Sequence, residues 1–138
     1  MKYVIYFGII FLLFGCSNTI KKETLTNLNG YWEITEVEFT DGQKKTYTVN
    51  SSIDYIKLTK MKGIKKKMQP KLNGSYITTN DVENFTINQI DGIFYFQYEN
   101  DLSQWQEKLI TLEENTFSVK NQDNITYTYK RFEPIKIE

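Results

Sequence analysis

Residues 84–98 read NFTINQIDGIFYFQY. Phe85 and Ile87 alternate with polar residues before the dipeptide Asp91-Gly92, and Phe94, Phe96 and Tyr98 recur at every second position after it. Period two places each set on one face of an extended chain, whereas a helix would repeat its apolar face every 3.6 residues. Asp-Gly between two such runs is the two-residue turn whose twist matches an antiparallel hairpin. The stretch therefore predicts two antiparallel strands, over 84–90 and 93–98. Ile93 and Tyr95 are apolar too, so the second strand is expected to be covered on both faces.

The same pattern extends in both directions. Short runs rich in β-branched and aromatic residues fall at 31–39, 45–49, 53–59, 72–78, 105–112, 116–120 and 125–132, with Asn, Asp, Gly and Lys between them. Ile125, Tyr127 and Tyr129 repeat the alternation, and Thr40-Asp41-Gly42 marks a turn after the first run. In that first run Trp32 and Ile34 share one face while Val37 and Phe39 fall on the other. A bulge near Thr35-Glu36 would re-aim the strand and bring the two sets together. No helical period persists for twelve residues, although 101–108 has room for a helical turn. The chain has no alanine, ten tyrosines and nine phenylalanines, a composition that favours strands. The expected fold is all-β: a small antiparallel up-and-down barrel of eight to nine strands, closed so that no edge is left to aggregate.

Composition excludes several kinds of chemistry. The 138 residues suffice for one domain, and 17 basic residues balance 17 acidic ones, so no global field calls for nucleic acid. Histidine is absent, which removes the commonest general base and zinc ligand. The single cysteine supports neither an internal disulfide nor a thiolate metal site. Phosphate loops, calcium loops and nucleophile elbows are missing. Asp81, Glu83, Asp91, Glu99 and Asp101 are scattered through expected turns. No metal, cofactor or enzymatic activity is expected.

The cysteine instead sits at the end of the opening segment, MKYVIYFGIIFLLFGC. Its apolar run is too short to cross a bilayer, which takes about 20 residues, and has the form of a secretory signal. Leu13-Phe14-Gly15-Cys16 resembles the lipobox of bacterial lipoproteins, in which cleavage before the cysteine leaves it as the lipid attachment site. The resemblance implies a signal peptide over 1–15, lipidated Cys16 with a polar tether over 16–28, and a barrel domain over 29–138. It places the protein on a cell membrane through its N-terminal lipid. Lys21 and Lys22, rather than an acidic string, follow the cysteine, which favours the outer membrane facing the periplasm.

Leu28-Asn29-Gly30-Tyr31-Trp32 opens the domain, and Tyr127-Thr128-Tyr129-Lys130-Arg131-Phe132 closes it. Together they resemble the lipocalin pattern, in which a first-strand tryptophan packs under an arginine from the last strand. With the lipobox and the Gly-Tyr-Trp-Glu-Ile opening, the chain is similar to small lipocalin-like lipoproteins of Bacteroidota over residues 28–132. The resemblance implies that Gly30, Trp32 and Arg131 close the barrel. Tyr76, Phe94, Phe96, Tyr98, Trp105 and Tyr127 are the candidates for lining a ligand cavity. An eight-stranded barrel is just wide enough to hold one small ligand or to be filled by its own side chains. Lys57, Lys60, Lys62, Lys65, Lys66, Lys67 and Lys71 form a basic run without an acid. It reads either as a solvated loop or, through Lys62, Lys65, Lys66 and Lys67, as a contact for an anionic group.

The expected function is binding of a small apolar or amphipathic ligand in the cell envelope. The alternative is an envelope scaffold with a filled barrel whose loops bind a protein or glycan partner. Replacing Cys16→Ser is expected to abolish incorporation of labelled palmitate and release the protein from membranes. Palmitate retained on that variant would overturn the lipoprotein reading.

Overall fold

The computed structural model describes residues 19–134. The expected signal peptide and Cys16 lie outside the described residues. Nine antiparallel strands follow a short 3₁₀ helix, Lys22–Leu28. They are β1 (Gly30–Glu38), β2 (Lys44–Thr46), β3 (Ile53–Thr59), β4 (Lys62–Pro70), β5 (Tyr76–Ile90), β6 (Ile93–Glu99), β7 (Gln104–Leu112), β8 (Thr116–Asn121) and β9 (Thr126–Arg131). From β3 to β9 each strand pairs with the next. One edge of β1 pairs with β9, as in Trp32 opposite Arg131 and Glu38 opposite Thr126. Its other edge pairs with β3 at Gly30–Trp32 and with the short β2 at Glu36–Glu38. The result is a closed eight-stranded up-and-down barrel with one extra strand.

Several expected features are present. Asp91 and Gly92 both take positive φ, 52° and 78°, and join β5 to β6 in the two-residue turn that Asp-Gly favours. The β1–β9 ladder shifts register between Ile34 and Glu36. That bulge turns Trp32 and Val37 to the same interior, where both are buried.

The structure corrects the sequence reading in four places. First, the lysine-rich segment is not a loop: β4 pairs along its length with β3 and β5. Lys60 occupies the turn before it at φ 58°, a conformation that Gly, Asn or Asp more often marks. Second, 72–78 and 84–90 are not separate strands, because Tyr76–Ile90 runs unbroken through the polar residues between them. Third, 101–108 holds no helical turn; Gln104–Leu112 is extended. Fourth, residues 22–28, read from the sequence as part of a polar tether, belong to the folded domain. Lys22–Leu28 is helical, and Leu25 and Leu28 are core residues.

That helix plugs one end of the barrel. Leu25 and Leu28 meet Trp32, Ile56, Ile87, Phe94, Leu109 and Phe117 in one apolar cluster. The turns at 60–61, 91–92 and 113–115 surround this closed end, and the loops at 39–52, 71–75, 100–103 and 122–125 surround the open one.

Arg131 locks the plug in place. Its guanidinium lies 4.1 Å from the centre of the Trp32 ring. It donates to the carbonyls of Asn27 (2.8 Å), Asn29 (2.9 Å) and Glu114 (2.6 Å). The Trp32 indole donates to Leu28 O at 2.8 Å and meets Phe117 edge-on at 4.7 Å. Gly30 has φ 123°, and a Cβ there would stand 2.7 Å from Arg131 Nη1, so glycine leaves the space the guanidinium fills. Trp32→Ala is expected to cost about 3–5 kcal/mol of unfolding free energy as a large core truncation, measured by urea titration. Unchanged stability would show that Trp32 does not hold the barrel closed.

Candidate functional site

Period two inside a barrel sends alternate side chains inward. In the half nearer the helix the inward set is apolar and fills the space. Towards the open end it becomes polar: Asp54 on β3, Lys65 and Lys67 on β4, Glu83 on β5, Tyr98 on β6, Glu107 on β7 and Tyr129 on β9. These residues form a charged layer across the barrel.

Lys65 is its centre. Its ammonium lies 3.2 Å from Glu83, 4.0 Å from Glu107 and 4.9 Å from the centre of the Tyr98 ring. Burial works against its charge, but Glu107, Tyr129, Glu83 and Asp54 together outweigh burial and hold its pKa above the usual lysine value. Burial pushes the Glu107 carboxyl above the ordinary carboxylate range; Lys65 opposes the shift, while Glu83 and Asp54 add to it. The phenols of Tyr98 and Tyr129 are raised, first by burial and then by nearby carboxylates.

Asp54 has a different environment. Its side chain is only 4% exposed, and Oδ1 lies 2.7 Å from Lys67 Nζ. The ammonium neutralises the charge at the distance of a charge-assisted contact, and Oδ1 has no second donor. Beside it is a cavity of about 360 Å³ bounded by Ile34, Tyr47, Asn50, Asp54, Lys67 and Tyr129. The loop after β2 covers this space and is tied to the β1 bulge. Tyr47 N donates to Thr35 O at 2.8 Å, and Asn50 Nδ2 to Ile34 O at 3.0 Å. The cavity thus brings Ile34 and the rings of Tyr47 and Tyr129 into one lining with the buried, lysine-paired carboxylate of Asp54.

The residues expected to line a cavity lie in three places. Phe94 and Phe96 are in the filled core. Tyr98 is inside, stacked on Trp105 at 5.2 Å beside Lys65, and Tyr127 packs partly buried against the core. Tyr76 is on the outer surface, stacked on Tyr31 at 4.7 Å and near Phe132. It borders an external groove of about 300 Å³. The expected lysine patch is divided by strand alternation: Lys65 and Lys67 turn inward to carboxylates, and Lys62 and Lys66 turn outward.

Asp54, Glu107 and Tyr129 were not among the sequence candidates. For the two acids the signal was a charged residue at an inward position, Asp54 in phase with Ile56 and Glu107 between Trp105 and Leu109; Tyr129 showed only its alternation with Tyr127. Among the described residues no cluster of His, Cys, Asp or Glu could hold a metal ion. None of their helices is long and apolar enough to cross a membrane.

No protein-family model matches the chain, and no curated protein does either. Among solved structures, the crystal structure of a lipocalin-like protein from Bacteroides uniformis is similar, with a TM-score of 0.49 and 12% sequence identity. The match covers 77% of this chain and 99% of that one. The barrel described above rests on this chain's own strand ladders.

Two expectations follow from the charged layer. Lys65→Met leaves Glu83 and Glu107 without their cation and should cost about 3 kcal/mol, as one-sided removal of a buried pair does. Adding Glu107→Gln should recover part of that loss in urea titration, and no recovery would argue against coupling. Lys65, Tyr98 and Tyr129 all hold their protons more tightly folded than unfolded. Their contribution is therefore complete below about pH 10, near the unfolded values, and is lost as the pH rises further. Melting temperature should fall above that pH, less steeply in Tyr129→Phe; an equal slope would exclude Tyr129 from the effect.

Proposed function

We propose that this protein is a lipid-anchored envelope barrel, akin to the small Bacteroidota lipoproteins, that binds a small amphipathic molecule at its open end without transforming it. The observation that carries the reading is the cavity beside Asp54, where Ile34 and the rings of Tyr47 and Tyr129 share a lining with a buried carboxylate whose Oδ1 has Lys67 as its one partner. A wholly apolar guest suits the interior less, because the apolar half is occupied by Phe85, Phe94, Phe96 and Phe117. A guest with an apolar body and a hydrogen-bond donor would satisfy both sides of the cavity.

A second reading, a scaffold that docks a protein or glycan, rests on the external groove. Val49 and Leu72 are 90% and 71% exposed there, beside Tyr76 and Phe132.

Mass spectrometry of small molecules co-purifying with the protein from native envelopes tests the first reading. Ser52, in the loop after β2, also lines the cavity, so Ser52→Trp provides the control by filling it without altering the core. A stoichiometric species present in the native protein and lost from a variant of equal melting temperature is expected. Equal retention by Ser52→Trp, or no species at all, would overturn binding at this site and move the weight to the groove.

A further inference from the structure

The attachment of the chain to the barrel has a geometric consequence for the membrane. Ile20 already packs against the core, and the helix beginning at Lys22 plugs the closed end. The span from Cys16 to Ile20, at about 3.8 Å per Cα step, is about 15 Å when fully extended. A tether reaching Leu28 would have let the domain turn freely above the surface. The actual connection is shorter than the barrel itself, since a nine-residue strand such as β7 is about 30 Å long.

The surface around the entry point is partly apolar. Ile90 is 52% exposed beside the Asp91-Gly92 turn, and Ile110 is 36% exposed on β7. Ile110 is the residue at the β7–β8 register shift, which explains its outward turn. Two shallow depressions at this end both include Thr19, Ile20 and Ile110. Charge does not decide the matter, because Lys21, Lys22, Lys60 and Lys62 share this end with Glu23, Asp91, Glu113 and Glu114. The open end also exposes apolar residues, Leu102 at 96%, Val49 at 90% and Leu72 at 71%, so the short covalent link is what selects the side.

We infer that the closed end rests on the lipid bilayer, with Ile20, Ile90 and Ile110 at its interface, and that the mouth beside Asp54 opens away from it. This inference rests on lipidation at Cys16. The partner is the bilayer holding that lipid, and a guest would reach the mouth from the aqueous side. Strand tilt of about 40° leaves the mouth roughly 20 Å beyond the closed end.

Two single-cysteine variants of the full lipidated protein test the orientation, since the native thiol is consumed by acylation. Ile90→Cys marks the closed end, and Leu102→Cys marks the loop after β6 at the open end, where Leu102 is 96% exposed. Each is labelled with an environment-sensitive fluorophore and reconstituted into phosphatidylethanolamine and phosphatidylglycerol vesicles. Quenching by brominated lipid at position 90, and by aqueous iodide but not lipid at position 102, is expected. Equal access at both positions, the reverse pattern, or protection of position 90 by a second copy of the chain would overturn the orientation. Labelled palmitate measured on the same samples separates the readings. Its absence overturns the anchor and the orientation together; its presence with symmetric quenching overturns the orientation alone.

Discussion

The contact between Arg131 and Trp32 joins the beginning of the barrel to its end. A meander of strands has two free edges until its first and last members pair, and that pairing must be reached across nearly the whole chain. The residues stand opposite each other in the β1–β9 ladder, with guanidinium over indole. A planar cation suits this position because it stacks on the ring while its N–H groups spread to several acceptors. Those acceptors are carbonyls at the helix end and in the turn before β8. One side chain thereby links both terminal strands, the plug and a hairpin turn. The tryptophan contributes in the other direction by holding Leu28 through its indole N–H.

Above that joint the interior changes character. Aromatic and aliphatic side chains fill the barrel as far as Phe85, Phe96 and Phe117, after which charged residues project inward. Lys65 is stable there because carboxylates offset the cost of its burial. This layer marks where the filled apolar interior ends. It also distinguishes the two ends: the plugged end is apolar and closed by the 3₁₀ helix, and the open end is polar beneath the loop bound to β1.

Much of the barrel was legible because local rules and the tertiary structure agree. Asp91-Gly92 adopts the backbone its residues favour, and the phase change after Ile34 is resolved by a bulge where the two apolar sets meet. Gly30, Trp32 and Arg131 were identifiable through the resemblance of the two ends of the domain to the lipocalin pattern. By contrast β4 was obscured, because Lys62–Pro70 has few β-branched residues and its preceding turn is Lys60-Met61. Its strand conformation depends on ladders to β3 and β5 rather than on its own propensity. The helix was equally hidden: Leu25 and Leu28 are two apolar residues in a polar stretch, and only the open base of a barrel gives them somewhere to be buried.

The sequence by itself determined the period-two alternation and the tight hairpin. These are readable because backbone sterics and side-chain alternation act over a few residues. Only the tertiary structure decided which lysines face carboxylates and which face solvent, and which aromatics fill space rather than border it. It alone placed Ile20, Leu25 and Leu28 against the core. Those outcomes depend on register between strands distant in sequence, where a shift of one residue would exchange the inside for the outside.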